Sequence, residues 1–146
     1  MKKTLIILIA ILAVGFIGYK MYNKPHTDVQ ATEVLKSFSA EELFTVFDLG
    51  EAQAMAQFAD QVIGVNGVVY QKDFGNELEP QIVLEANGDN GYIRCGFKPE
   101  EKSKLEKIKE GQSVKVKGLC KGINGSEELD LLADIDVVMS NCIIIE

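Results

Sequence analysis

Residues 61 to 70, Q-V-I-G-V-N-G-V-V-Y, constrain this chain more than any other stretch. Val62, Val65 and the pair Val68 and Val69 supply the β-branched side chains that favour a strand. Gly64 and Gly67 interrupt them, and glycine inside a strand marks a bulge or a corner where the sheet curls. A partial echo returns at residues 113 to 121, S-V-K-V-K-G-L-C-K. Two bent strands of this kind predict a small, strongly curved barrel rather than a flat sheet.

The remaining elements are read from periodicity and punctuation. Val34, Leu35 and Phe38 are spaced like one face of a short helix over 32–38. Ser39 and Glu42 form a capping box, and Leu43, Phe44, Phe47, Met55 and Phe58 then recur at helical spacing. One or two helices are expected over 40–60, with Gly50 as a break or kink. The first strand is 61–70, followed by a polar turn at 72–79 and a second strand at 81–85. A-N-G-D-N-G, residues 86–91, is a hairpin signal before a third strand at 92–97. Pro99 opens a short helix that turns Leu105 and Ile108 inward and stops at Gly111. The fourth strand is 113–121 and a loop covers 122–128. Residues 129–135 are ambiguous, and the fifth strand is 136–145.

A three-strand meander, a helix and two further strands is the element order of the OB-fold, a five-stranded Greek-key barrel. The predicted class is therefore mainly β with N-terminal helices. The segments V-I-G-V-N-G-V-V, I-R-C-G-F, G-Q-S-V-K-V-K-G-L-C-K-G and V-V-M-S-N-C-I-I resemble the tRNA-anti-like family over roughly residues 40–145. That resemblance implies a small bacterial OB-fold domain, often exported and mostly without assigned function. Residues 126–135 depart from its simplest pattern, being longer than a plain turn between the last two strands needs.

The N-terminus has a different character. Lys2 and Lys3 precede an uncharged apolar run from Thr4 to Tyr19. As a helix, these ~16 residues would span about 24 Å, a little under a bilayer core, with Lys3 and Lys20 placed to snorkel. Ala13-Val14-Gly15 is a small-x-small triplet, yet Phe16, Ile17 and Tyr19 carry the apolar run past it. A cleaved signal peptide and a retained signal anchor are both open; the continued run favours a single transmembrane anchor. In either case the lysine end stays in the cytoplasm and the rest is exported, to a bacterial periplasm or cell surface. The expected organisation is an anchor at 1–24, a linker at 25–31 and an OB-fold domain at 32–146.

Charge then narrows the partners. Four of the 15 basic residues lie in the first 24, so the remainder has 11 basic against 22 acidic side chains, a formal −11. Such a domain repels phosphate backbones and anionic surfaces at long range. Aromatic residues on the second and third strands of an OB barrel can stack on bases. Tyr70, Phe74, Tyr92 and Phe97 are the candidates, with Lys72 and Arg94 as phosphate partners. Arg94 is the domain's one arginine, and Tyr92 and Phe97 also suit a barrel core or rim. Single-stranded nucleic acid is thus the alternative. A protein or glycan partner in the cell envelope is the expectation, met across a groove formed by Tyr70, Lys72, Phe74, Tyr92 and Arg94.

Catalytic and metal chemistry find little support. Cys95, Cys120 and Cys142 form no C-x-x-C pair, and the single His26 lies in the linker, so neither a zinc site nor another cofactor is expected. Two of these cysteines could pair in an exported domain, with the pairing unassigned, or all three could be buried apolar thiols. No histidine in the domain could activate a thiol. Glu100/Glu101, Glu127/Glu128 and Asp134/Asp136 are acid pairs that could hold a cation or act in acid–base catalysis. The loop 87–91 lacks calcium-ligand spacing and reads as a turn. The expectation is a binding module, not an enzyme.

Overall fold

The structure, a computed structural model, describes residues 13, 15, 28–88, 91–124 and 135–145. The expected anchor at 1–24 lies outside these residues apart from Ala13 and Gly15. Among the described residues no helix is long and apolar enough to cross a membrane.

The strands are β1 (Ser37–Ser39), β2 (Val62–Asp73), β3 (Gln81–Asn87), β4 (Gly91–Phe97), β5 (Ser113–Asn124) and β6 (Ile135–Ile145). Helix α1 spans Ala40–Phe58, and a connector between β4 and β5 holds a 3-10 turn, Pro99–Glu101, and the short helix α2, Lys102–Leu105. The sheet runs β1-β2-β3-β4-β6-β5, and β2 pairs again with β5. That second pairing closes five strands, β2 to β6, into a barrel of OB-fold arrangement, in which the β4–β6 pair is parallel. β2 can serve both neighbours because it bends: Val62 to Val68 pair with β5, and Val68 to Asp73 pair with β3.

The two glycines of the organising stretch have a packing role. A Cβ on Gly64 would meet Ser37 Oγ at 2.9 Å, and one on Gly67 would meet Ala40 Cβ at 2.9 Å. Bare backbone at these positions lets β1 and the start of α1 lie directly on β2.

Helix α1 begins where its capping box predicts. Glu42 N–H donates to Ser39 Oγ at 3.1 Å, and Ser39 N–H donates to Glu42 Oε2 at 2.9 Å. The helix breaks at Gly50, whose backbone is non-helical. Its inward face, Leu43, Phe44, Phe47, Ala54 and Phe58, is buried and joins Ile63, Val65, Leu84, Ile93, Phe97 and Met139 in the barrel core. Phe44 packs at Gly91 and Met55 at Gly122, so α1 closes the barrel end where β4 starts and β5 ends. The connector leaves β4 at its other end, where Leu105 and Ile108 turn into the same core.

Two expectations near the N-terminus are corrected. Residues 32–38 do not form a helix; the chain there is irregular as far as Lys36 and then enters β1, parallel to β2. The 3.6-residue spacing of Val34, Leu35 and Phe38 is overridden by backbone pairing, Leu35 N–H to Val62 O at 2.8 Å and Gly64 N–H to Lys36 O at 3.0 Å. Residues 28–31, expected as linker, also belong to the packed unit. Val29 is buried against Val62 and Leu119, with Ile143 beside them. Residues 28–36 therefore form a strap across the outside of β2, β5 and β6. The strands themselves outrun several expected limits: β2 continues to Asp73, β3 to Asn87 and β5 to Asn124. Residues 125–134, which include most of the ambiguous stretch, lie outside the described residues.

Candidate functional site

Alternation along β3 and β4 sorts the side chains. Ile82 and Leu84 on β3, and Ile93, Cys95 and Phe97 on β4, are buried in the core. Gln81 and Glu85, with Tyr92 and Arg94, take the opposite face, where β2 adds Tyr70 and β6 adds Asp136.

Tyr70 and Tyr92 stack there, ring centroids 4.9 Å apart at an interplanar angle of 38°. Tyr92 is the lower ring, nearly buried, while Tyr70 above it is 52% exposed. Tyr70 sits where the β2–β3 register shifts, between Val69 and Gln71. A bulge re-aims a side chain, and this one carries an aromatic ring outward over the neighbouring strands.

Beside the tyrosines, Arg94 bonds to Asp136 through two nitrogens, Nε at 2.8 Å and Nη2 at 2.5 Å from Oδ2. Its Nη1 donates to Gln81 Oε1 at 3.4 Å. The Asp136 side chain is 8% exposed and that of Arg94 36%, so the carboxylate is buried and the guanidinium half-buried. Asp136 Oδ1 and Ser140 Oγ are buried without a hydrogen-bond partner among the described residues. The domain's one guanidinium is thus neutralised by a carboxylate 42 residues further along the chain. It is a fixed hydrogen-bonding group rather than a free cation.

The structure brings together three of the five groove residues expected from the sequence, Tyr70, Tyr92 and Arg94. Lys72 and Phe74 lie elsewhere. Lys72 faces the connector, where its Nζ donates to Ile108 O at 2.8 Å and lies 5.8 Å from the Phe74 ring centroid. Lys102 Nζ approaches the same ring at 6.0 Å. The register explains this: Lys72 pairs with the inward Ile82, whereas Tyr70 sits at the bulge before it. Phe97 is a core residue. Asp136 carried a sequence signal only as one of an acid pair, and nothing in it pointed to Arg94.

The cysteines belong to the interior. Cys95, Cys120 and Cys142 are free and buried. Burial above all, and then the hydrogen bond with Cys95, pushes the Cys142 thiol well above its ordinary range. Burial likewise raises the Cys120 thiol. A neutral, enclosed thiol is a poor nucleophile. Among the described residues no group of three or more His, Cys, Asp or Glu side chains is placed to hold a metal ion.

A family model described as tRNA_anti-like matches residues 1–134. The chain belongs to the tRNA_anti-like family. The match takes in the N-terminal apolar run and ends just before β6. Among solved structures, this tRNA_anti-like domain is similar to a lipoprotein from Klebsiella pneumoniae subsp. pneumoniae provisionally described as nucleic acid-binding. The two are 14% identical, with a TM-score of 0.59 over 84% of this chain and 100% of that one. A second likeness, at 13% identity and a TM-score of 0.46, is to Entamoeba histolytica asparaginyl-tRNA synthetase, over 78% of this chain and 24% of that one. None of the curated proteins matches the chain by sequence.

Proposed function

We propose that this tRNA_anti-like protein is a membrane-anchored, exported module that binds a protein or glycan partner in the cell envelope, and that it acts without catalysis. One observation carries the reading. The outward face of β2, β3 and β4 presents an exposed tyrosine, Tyr70, stacked on Tyr92 beside an arginine already neutralised by Asp136. An aromatic shelf with fixed donors and acceptors suits the apolar face of a sugar or a protein side chain. It offers little to a phosphate backbone, which needs free positive charge. The formal −11 of residues 25–146 acts in the same direction.

The address rests on Lys2, Lys3 and the apolar run that follows them. That a lipoprotein carries the same barrel fits an envelope location. A second reading, single-stranded nucleic acid, is favoured by the provisional description of that lipoprotein and by the stacked rings.

Site-specific photo-crosslinking in living cells tests the proposal on the full chain. A benzophenone amino acid in place of Tyr70 is expected to trap an envelope protein or a glycan strand. The same probe in place of Lys115, on β5, is expected to trap neither. Adducts that contain nucleic acid, or equal yields at the two positions, would overturn the reading.

A further inference from the structure

We infer that the bilayer is a second partner of this domain, met by the connector end of the barrel and held there by the strap. This rests on the anchor reading above and concerns a different surface from the tyrosine shelf.

The strap is firmly built. Thr32 closes a turn on Asp28 O through its N–H at 3.0 Å and its hydroxyl at 2.7 Å. Val29 is buried at 4% exposure. The nearly buried Lys117 donates from Nζ to Gln30 O at 3.3 Å. Beyond these, Leu35 and Lys36 join the backbone ladder of β2. The chain is therefore held to the barrel from Asp28 onward.

Asp28 lies at one pole. It shares a cavity of about 190 Å³ with Lys98, Glu100, Glu101 and Asn141, where the connector leaves β4. The anchor's last lysine is Lys24, and the four peptide spacings from there to Asp28 reach at most about 14 Å. A retained anchor therefore draws the connector pole to the headgroups. Helix α1 and the β3–β4 hairpin, at the other end of β4, are left facing away.

Charge agrees with this orientation. Residues 98–110 contain five lysines and four glutamates, a formal +1, so the rest of residues 25–146 carries −12. Asp28 and the β2–β3 turn residues Asp73, Glu77 and Glu79 share this end, so it is the connector itself, not the whole pole, that an anionic lipid surface repels least. Lys98, Lys104, Lys107 and Lys109 are exposed on the connector, although Lys104 is paired with Glu101.

The test uses the full chain in lipid nanodiscs whose headgroups carry a gadolinium chelate, with amide relaxation read residue by residue. Co-flotation of the chain with vesicles is measured first, since a chain that sinks fails as an anchored protein and takes both readings with it. In a chain that floats, relaxation should be strongest at 28–31 and 98–109, and several-fold weaker at Gly91 and along α1. Uniform relaxation, or a maximum at α1, overturns the orientation alone. Two variants probe its cause: Val29→Asp, which loosens the strap, and a Gly-Ser insertion after Lys24, which lengthens the tether. Each should flatten the gradient while leaving the β3–β4 amide pattern intact. A gradient unchanged in both would overturn the inference.

Discussion

At the scale of single residues, the Arg94–Asp136 pair and the buried thiols make separable predictions. A fully buried ion pair that loses one partner costs about 3–5 kcal/mol, because the other charge stays desolvated. With the Arg94 side chain 36% exposed, water softens that loss, and Arg94→Met is expected to cost about 2 kcal/mol. A double-mutant cycle with Asp136→Asn by urea denaturation checks this. A coupling below about 0.5 kcal/mol would make the pair equivalent to a surface contact. The thiols act through pH. Above the ordinary thiol value of 9.0, the unfolded chain loses protons that the folded chain retains at Cys142 and Cys120. Their contribution to stability is complete below that pH and declines as pH rises toward the folded values. The slope is at most about 1.4 kcal/mol per pH unit for each thiol. Cys142→Ala should remove one such decline above about pH 9, read as the difference from wild type so that lysine and tyrosine titration cancels. Equal slopes in the two proteins would mean that Cys142 is not held neutral.

At the scale of elements, stability should concentrate where sequence and packing agree. The capping box of α1 is both written in S-A-E-E and formed, so Ser39→Ala should cost about 1 kcal/mol. The hydrogen bonds from Ser39 also lower the Glu42 carboxyl, so this cap weakens as pH falls through that lowered value. Phe47 lies deep in the shared core at 1% exposure, and Phe47→Ala should cost about 3–5 kcal/mol by thermal or urea unfolding. A loss below about 1 kcal/mol would show that α1 is dispensable to the barrel. Local chemistry determined α1, the antiparallel pairing of β3 with β4 and the bend of β2, and each was readable in the sequence. The strap was not, because Val34, Leu35 and Phe38 are spaced for a helix and only the exposed edge of β2 keeps them out of one. The shelf was half readable. Tyr70, Tyr92 and Arg94 fall on strands whose alternation is visible. Lys72 changes side through a β-bulge, and Asp136 reaches Arg94 through a parallel pairing that no local pattern announces.

At the scale of the whole molecule, charge decides between the two readings of the shelf. A protein that binds single strands by neutralising Z phosphates shows a log–log salt slope of about −0.7Z. The shelf can supply little toward Z. Its one guanidinium is held by Asp136, while Lys72 is turned to the connector. Stacking on Tyr70 could return about 1–3 kcal/mol per base, against the repulsion of a −11 domain. That leaves affinity weaker than about 100 µM, which one or two stacked bases cannot improve without cations. Fluorescence anisotropy of the full chain in nanodiscs, titrated with labelled single-stranded DNA and RNA, should therefore stay flat near physiological salt. At low salt any rise should be unsaturable and indifferent to Tyr70→Ala. Saturable micromolar binding that falls steeply with salt and is lost in Tyr70→Ala would reverse the assignment. The shelf would then be a base-stacking platform, its cations drawn from residues beyond the described face.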